Sequence, residues 1–169
     1  MSDLPSANDW LQRVIQRLSL EGFTISENVQ FGGELFRAAA HRSRFELTKF
    51  GNSETFFVFA EFRELSRESA RRFSFNAFQY AKASKSFPLP CGLFESVWCF
   101  AVGLVDTLDE VTAASVHSEP PVKHWAAAEI PVVYERRQGK LHFFEKTPLW
   151  GAAYYTGFRT QVKTFLGHN

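Results

Sequence analysis

The sequence predicts one α+β domain over residues 1–169, an antiparallel or mixed sheet of about six strands with helices packed on it. Three observations lead there. Apolar stripes of helical period recur near the start, middle and end of the chain, the segments between them alternate with period two or are apolar throughout, and no Pro- or Ser-rich linker divides them. With 45% hydrophobic residues, among them 19 Phe, 4 Trp and 4 Tyr, the chain buries a sizeable core without disulfide or metal staples.

The first stripe, Trp10, Leu11, Val14, Ile15 and Leu18, faces away from Arg13, Gln16 and Arg17 and stops at Gly22, so it is an amphipathic helix. From Phe23 to Phe31 apolar residues stand at 23, 25, 29 and 31, the pattern of a strand ended by Gly32-Gly33. Glu34 to Phe50 and Glu54 to Phe62 are β-prone and aromatic, with Gly51-Asn52-Ser53 expected as the hairpin connection. Ser66 is placed to cap a helix over Arg67 to Ser84, whose Ala70, Phe73, Ala77, Tyr80 and Ala81 share a face. Leu93 to Val105 has almost no polar residue after Ser96 and reads as a central strand covered on both sides. Thr107-Leu-Asp-Glu110 has capping-box spacing and predicts a short helix to about Ser115. The stretch from His117 to His124, with Pro120-Pro121, reads as an irregular exposed loop. Trp125 to Glu135 and Lys140 to Glu145 form two further strands, and Pro131 assigns the first to an edge or bulged position. Thr147 and Pro148 open a closing helix to about Leu166, with Trp150, Tyr154, Phe158, Val162 and Phe165 on one stripe.

Composition excludes several classes of function. The net charge is +1, with 12 basic and 10 acidic residues up to Ser86 and 7 and 8 after it, so neither half carries the field of a polyanion-coating protein. The segment from Met1 to Trp10 lacks the basic and apolar regions of a signal peptide, and no apolar run is long enough to cross a bilayer. Two cysteines, one of them within Val-Trp-Cys-Phe-Ala-Val, make no disulfide framework, and the expected setting is the reducing cytoplasm.

Chemical motifs are sparse. Up to Val105 the element order resembles that of metal-dependent nucleases of the restriction-endonuclease type, a likeness of order alone. Their chemistry needs carboxylates around a metal with a nearby lysine, a role open here only to Glu34, Glu46, Glu61 and Lys49. The spacing Glu46-Leu-Thr-Lys49 is wrong for that motif and Glu61-Phe-Arg63 offers Arg for Lys, so solvent-facing strand glutamates are the simpler reading. Cys91, in a Pro-Cys-Gly turn, has no nucleophile signature around it, and the cysteines and histidines lack the short paired spacing of a zinc site. No phosphate loop follows Gly32-Gly33 and no Gly-x-Ser-x-Gly elbow occurs. Arg67, Arg71, Arg72 and Lys82 decorate a helix among Glu64 and Glu68, which is a solvated face before it is a nucleic-acid surface.

The aromatic segment from Thr147 to Arg159 is the part that core formation explains least. Gly151 and Gly157 each cost a helix about 1 kcal/mol relative to Ala, so a close approach at that helix is expected. The functional expectation is a non-catalytic binding or protein-interaction domain, without cofactor or metal, that forms a homodimer and takes a protein partner or an apolar small ligand. Its binding residues are expected to be Trp150, Tyr154, Tyr155, Arg159, His117 and His124. The alternative is a degenerate nuclease-like enzyme using the three glutamates and Lys49. Element order is also loosely similar to that of small bacterial secretion chaperones, again at the level of fold only.

Overall fold

Helix α1 (Ala7–Leu20) stops where Gly22 takes a left-handed conformation (φ 82°) and the Phe23 amide reaches back to the Leu18 carbonyl at 3.0 Å. Residues 7–46, 51–86, 95–146 and 152–167 are described by this computed structural model. Strands β1 (Thr24–Phe31), β2 (Glu34–Glu46) and β3 (Gly51–Glu61) form an antiparallel meander. Helix α2 (Arg67–Ser84) carries the chain across to β4 (Glu95–Val105), which lies parallel to β3. Helix α3 (Glu110–Ser118) then leads to β5 (Val122–His124) and β6 (Ala127–Glu135), the latter parallel to β4. Strand β7 (Lys140–Phe143) returns beside β6, and α4 (Ala152–Gln161) closes the chain through a π-helical turn, Val162–Leu166.

The sheet is mixed and has seven strands, in the order β1-β2-β3-β4-β6, with β5 and β7 sharing the outer edge of β6. The α+β class and the element order match the sequence expectation, with β5 as an addition. Strand β4 is central, as its unbroken apolar run predicts. Side chains of β3, β4 and β6 alternate between two cores. Phe57, Phe59, Phe100, Val102, Ile130 and Val132 meet α1 and the last helix on one face; Phe56, Val58, Val97, Cys99 and Ala101 meet Phe73, Ala77 and Phe78 of α2 on the other.

Several local expectations are corrected, each for an identifiable reason. Gly51, Asn52 and Ser53 are strand residues paired with Glu46, Phe45 and Arg44, and the residues between 46 and 51 lie outside the described ones. Asp109, not Thr107, caps α3, because its carboxylate accepts the Thr112 amide at 2.9 Å and so satisfies a free first-turn donor. That helix runs on to Ser118, so His117 lies in its last turn; Val122–His124 is an edge strand, and the expected loop from 117 to 124 shrinks to the few residues between. Strand β6 is not an edge strand, yet Pro131 is accommodated. Strand β5 pairs with residues 127–129 and pairing with β7 begins at Val132, so among the described residues Ile130 and Pro131 have no strand partner on that side. Thr147, Pro148, Trp150 and Gly151 lie outside the described residues.

Strand β1 departs from strict alternation. Phe23 and Ile25 pack on the α1 face, whereas Val29 and Phe31 pack on the α2 face. The switch occurs at Asn28, a left-handed residue (φ 53°), and β2 switches with it, since Phe36 and Ala38 also face opposite ways. A short polar side chain tolerates that conformation, a β-branched one does not. Replacing Asn28 with Gly should preserve stability, whereas Asn28→Val should lower it by about 1–2 kcal/mol in urea denaturation; equal stability of the two variants would show that this backbone is unstrained.

Candidate functional site

The residues expected to bind are only partly gathered by the fold. Tyr154 and His124 do line one shallow cleft of about 320 Å³, with Trp98 and Lys123, and the Lys123 ammonium stands 4.6 Å from the Tyr154 ring centroid and 4.5 Å from that of Tyr155. Tyr155 itself is buried between Phe144 and Phe158 and belongs to the core. The Tyr154 hydroxyl is buried without a hydrogen-bond partner, and burial pushes its pKa upward, with Tyr155 adding to the effect. Arg159 donates to the Glu145 carbonyl at 2.7 Å and ties the last helix to the end of β7. Gly157 is explained by packing: a Cβ there would stand 3.0 Å from the Trp98 ring, so the close approach is that of the sheet. Trp150 lies outside the described residues.

His117 belongs to a different constellation. Its Nε2 lies 3.1 Å from His142 Nδ1, and His142 Nε2 donates to Glu135 Oε2 at 3.1 Å, while Gln138 donates to the other oxygen at 3.1 Å. The His142 Nε2 proton is committed to Glu135 and the Phe143 carbonyl beside His117 Nδ1 can only accept, so all three contacts are hydrogen bonds at once only when the two rings share one proton more than their neutral forms carry. His117 Nδ1 also lies 3.1 Å from the Phe143 carbonyl, so this chain of side chains fastens α3 to β6 and β7.

The glutamates of the nuclease alternative do not come together. Glu34 lies at the start of β2 beside Arg72, at 4.0 Å, and Glu61 at the end of β3 is paired with Arg136 at 3.0 Å and Arg37 at 3.7 Å. Glu46 stands at the opposite end of the β2–β3 ladder, and Lys49 lies outside the described residues. No cluster of three or more His, Cys, Asp or Glu suited to a metal occurs among the described residues. A buried polar group does lie under the end of α2: Glu54 accepts from His41 and from the Ser86 amide, and Glu95 accepts from Lys85. These carboxylates are held by internal hydrogen bonds, and Glu95 with Lys85 is an ion pair.

The best-formed cavity lies elsewhere, between α2, α3 and the outer part of the sheet, with a volume of about 470 Å³. Ala70, Val116, Pro120, Val122, Pro131 and Phe144 make its walls apolar. Helix α2 supplies one wall because its Ala70–Ser74 face is turned to the sheet. Pro131 opens another, in the gap between β5 and β7. At the mouth, Glu119 accepts from Arg67 at 2.6 Å, Arg71 at 2.5 Å and Ser115 at 2.7 Å. Partial burial opposes ionisation of Glu119, but these partners outweigh it and hold the carboxyl below its ordinary pKa.

Two polar groups sit deep in this cavity. The Ser74 hydroxyl is 3% exposed and has no hydrogen-bond partner. Glu129, 4% exposed, accepts from His124 Nε2 on Oε1 at 2.6 Å, and among the described residues nothing donates to Oε2. The His124 ring is held by stacking on Phe78, with centroids 4.5 Å apart. Cys99 pairs with Glu129 across β4 and β6; burial raises its thiol pKa, with the Glu129 charge adding, so it offers no cation or nucleophile. Neither Ser74 nor Glu129 was expected from composition, although both stand on otherwise apolar faces, Ser74 among Ala70, Phe73 and Ala77, Glu129 within Ala127-Ala-Glu-Ile-Pro-Val.

The histidine chain beside this cavity makes stability depend on pH. Burial lowers the His142 pKa, against the opposing effect of its hydrogen bond to the Glu135 carboxylate. The unfolded chain therefore binds the proton more readily, and this contribution is complete above the ordinary imidazole value of about 6.5 and lost as pH falls below it. His142→Gln should flatten that dependence in thermal melts between pH 7.5 and 5; an unchanged slope would place the titration elsewhere. No protein-family model, no curated protein and no solved structure matches the chain.

Proposed function

We propose that this chain is a non-catalytic binding domain, in the cytoplasm, whose ligand is a small and largely apolar molecule held between α2, α3 and β6. The observation that carries the reading is the cavity of about 470 Å³ with apolar walls, a buried Ser74 hydroxyl without a partner and the Glu129 carboxylate, to which His124 donates on one oxygen. Its size falls within the range of small-molecule sites, and a few polar groups in an apolar pocket are what fixes a ligand's orientation. An unpaired buried hydroxyl costs about 1–3 kcal/mol, which a ligand bonding to it recovers.

The chemistry of catalysis lacks support at this site. Cys99 is buried with a raised pKa, and the hydroxyl of Ser74 has no base bonded to it. The cytoplasmic setting is supported by Cys99, a buried free thiol.

The shallow cleft at Tyr154 is a weaker candidate, since Lys123 already covers its aromatic rings. A titration with 2-naphthol followed by amide NMR separates the two. Shifts should cluster on Ala70–Ser74, Ser115–Glu119 and Val122–Pro131. Ala70→Phe and Val116→Trp, which fill the cavity, should each weaken binding at least tenfold while leaving the thermal midpoint within a few degrees. Absence of saturable binding, or binding that both filled variants retain, would overturn the reading.

A further inference from the structure

The cavity carries a charge pattern as well as a shape, and the geometry points to a primary amine as the ligand's inner group. This deepens the binding reading and rests on it. Three facts lead to it. The first is Glu129, a carboxylate 4% exposed whose Oε1 accepts from His124 and whose Oε2 accepts from nothing among the described residues. The second is Ser74, a residue of the same cavity wall whose buried oxygen has no partner of its own. The third is the distribution of cations: among the described residues Arg67 and Arg71 are the only Lys or Arg side chains on the cavity wall, and both are engaged by Glu119 at the mouth.

A buried carboxylate is costly unless it is paired and hydrogen-bonded. His124 pairs with one oxygen only, and from a ring 38% exposed to solvent. An ammonium group supplies three N–H donors and no acceptor, which matches two acceptors left open in the cavity, Glu129 Oε2 and Ser74 Oγ. A carboxylate or phosphate in that position would face Glu129 with no cation at depth. A hydroxyl would satisfy one acceptor and leave the charge uncompensated. The apolar walls contributed by Val116, Val122, Pro131 and Phe144 would enclose the body of the same molecule. The ligand class is therefore an aromatic or aliphatic primary amine, its ammonium inward and its apolar part filling the space toward α3.

Three probes with one body test this by calorimetry on the full chain at pH 7.5: 2-(2-naphthyl)ethylamine, 2-(2-naphthyl)ethanol and 3-(2-naphthyl)propionate. The amine should bind at least tenfold tighter than the alcohol, and the propionate weakest. Glu129→Gln should bring amine and alcohol to within about twofold of each other, and Ser74→Ala, which leaves the core volume nearly unchanged, should weaken the amine several-fold. Equal binding of amine and alcohol to the unaltered chain would overturn the amine assignment while leaving the binding reading intact, and needs no variant to fold. Binding of none of the three would remove both.

Discussion

Everything in this molecule is arranged around three parallel strands that cannot face water on either side. In β3, β4 and β6 the alternating side chains are mostly apolar in both directions, with a few buried glutamates among them, so two separate layers of helix are required to cover them. Helix α2 serves one face. The other needs two elements from opposite ends of the chain, α1 and the last helix, and their joint is made specific by Arg17, which donates to the Phe165 carbonyl at 3.1 Å and the Gly167 carbonyl at 2.7 Å. A cation on the free carbonyls of a helix end complements its dipole, so one side chain from the first helix both caps and positions the last. Stacked aromatic rings reinforce the same face, Trp10 on Tyr134 at 3.9 Å and Phe57 on Phe100 at 4.6 Å.

Among the described residues four glutamates are buried, and each meets a basic side chain: Glu54 with His41, Glu95 with Lys85, Glu129 with His124, Glu135 with His142. Three of the five histidines are used in this way. Such pairs are poor sources of net stability, because desolvation offsets their attraction, but removing one partner is costly. They fix which strand lies beside which helix end. Glu129 differs from the other three in its surroundings, since it opens onto a cavity and not onto packed side chains.

Much of the architecture was legible because it is written in periodicity. Arg67–Ser84 could be delimited to the residue, since Ser66 is a strong cap and the stripe from Ala70 to Ala81 is unbroken. The central place of β4 followed from a run without polar residues. What periodicity could not express is a change of face within a strand, as at Asn28, or a sheet edge shared by two short strands, as at Pro131, because both depend on partners distant in sequence. The binding residues were legible only in part. Aromatic surplus directed attention to Tyr154, Tyr155 and Arg159, yet the fold absorbs Tyr155 into the core and uses Arg159 as a tie. Ser74 and Glu129 carry a quieter signal, a lone polar residue on an apolar face, which acquires meaning only when two such faces are brought together.

The interruption at Pro131 and the left-handed residue at Asn28 have a joint consequence for the behaviour of many copies of this chain at once. A sheet of this length ordinarily offers two open borders on which a neighbour could lay down a strand and begin a fibril. One border here is split into a three-residue and a four-residue piece on either side of a proline. The other is bent midway, where β1 turns its side chains over. Neither presents a long flat template, so a chain with 19 Phe carries its own protection against edge-to-edge aggregation.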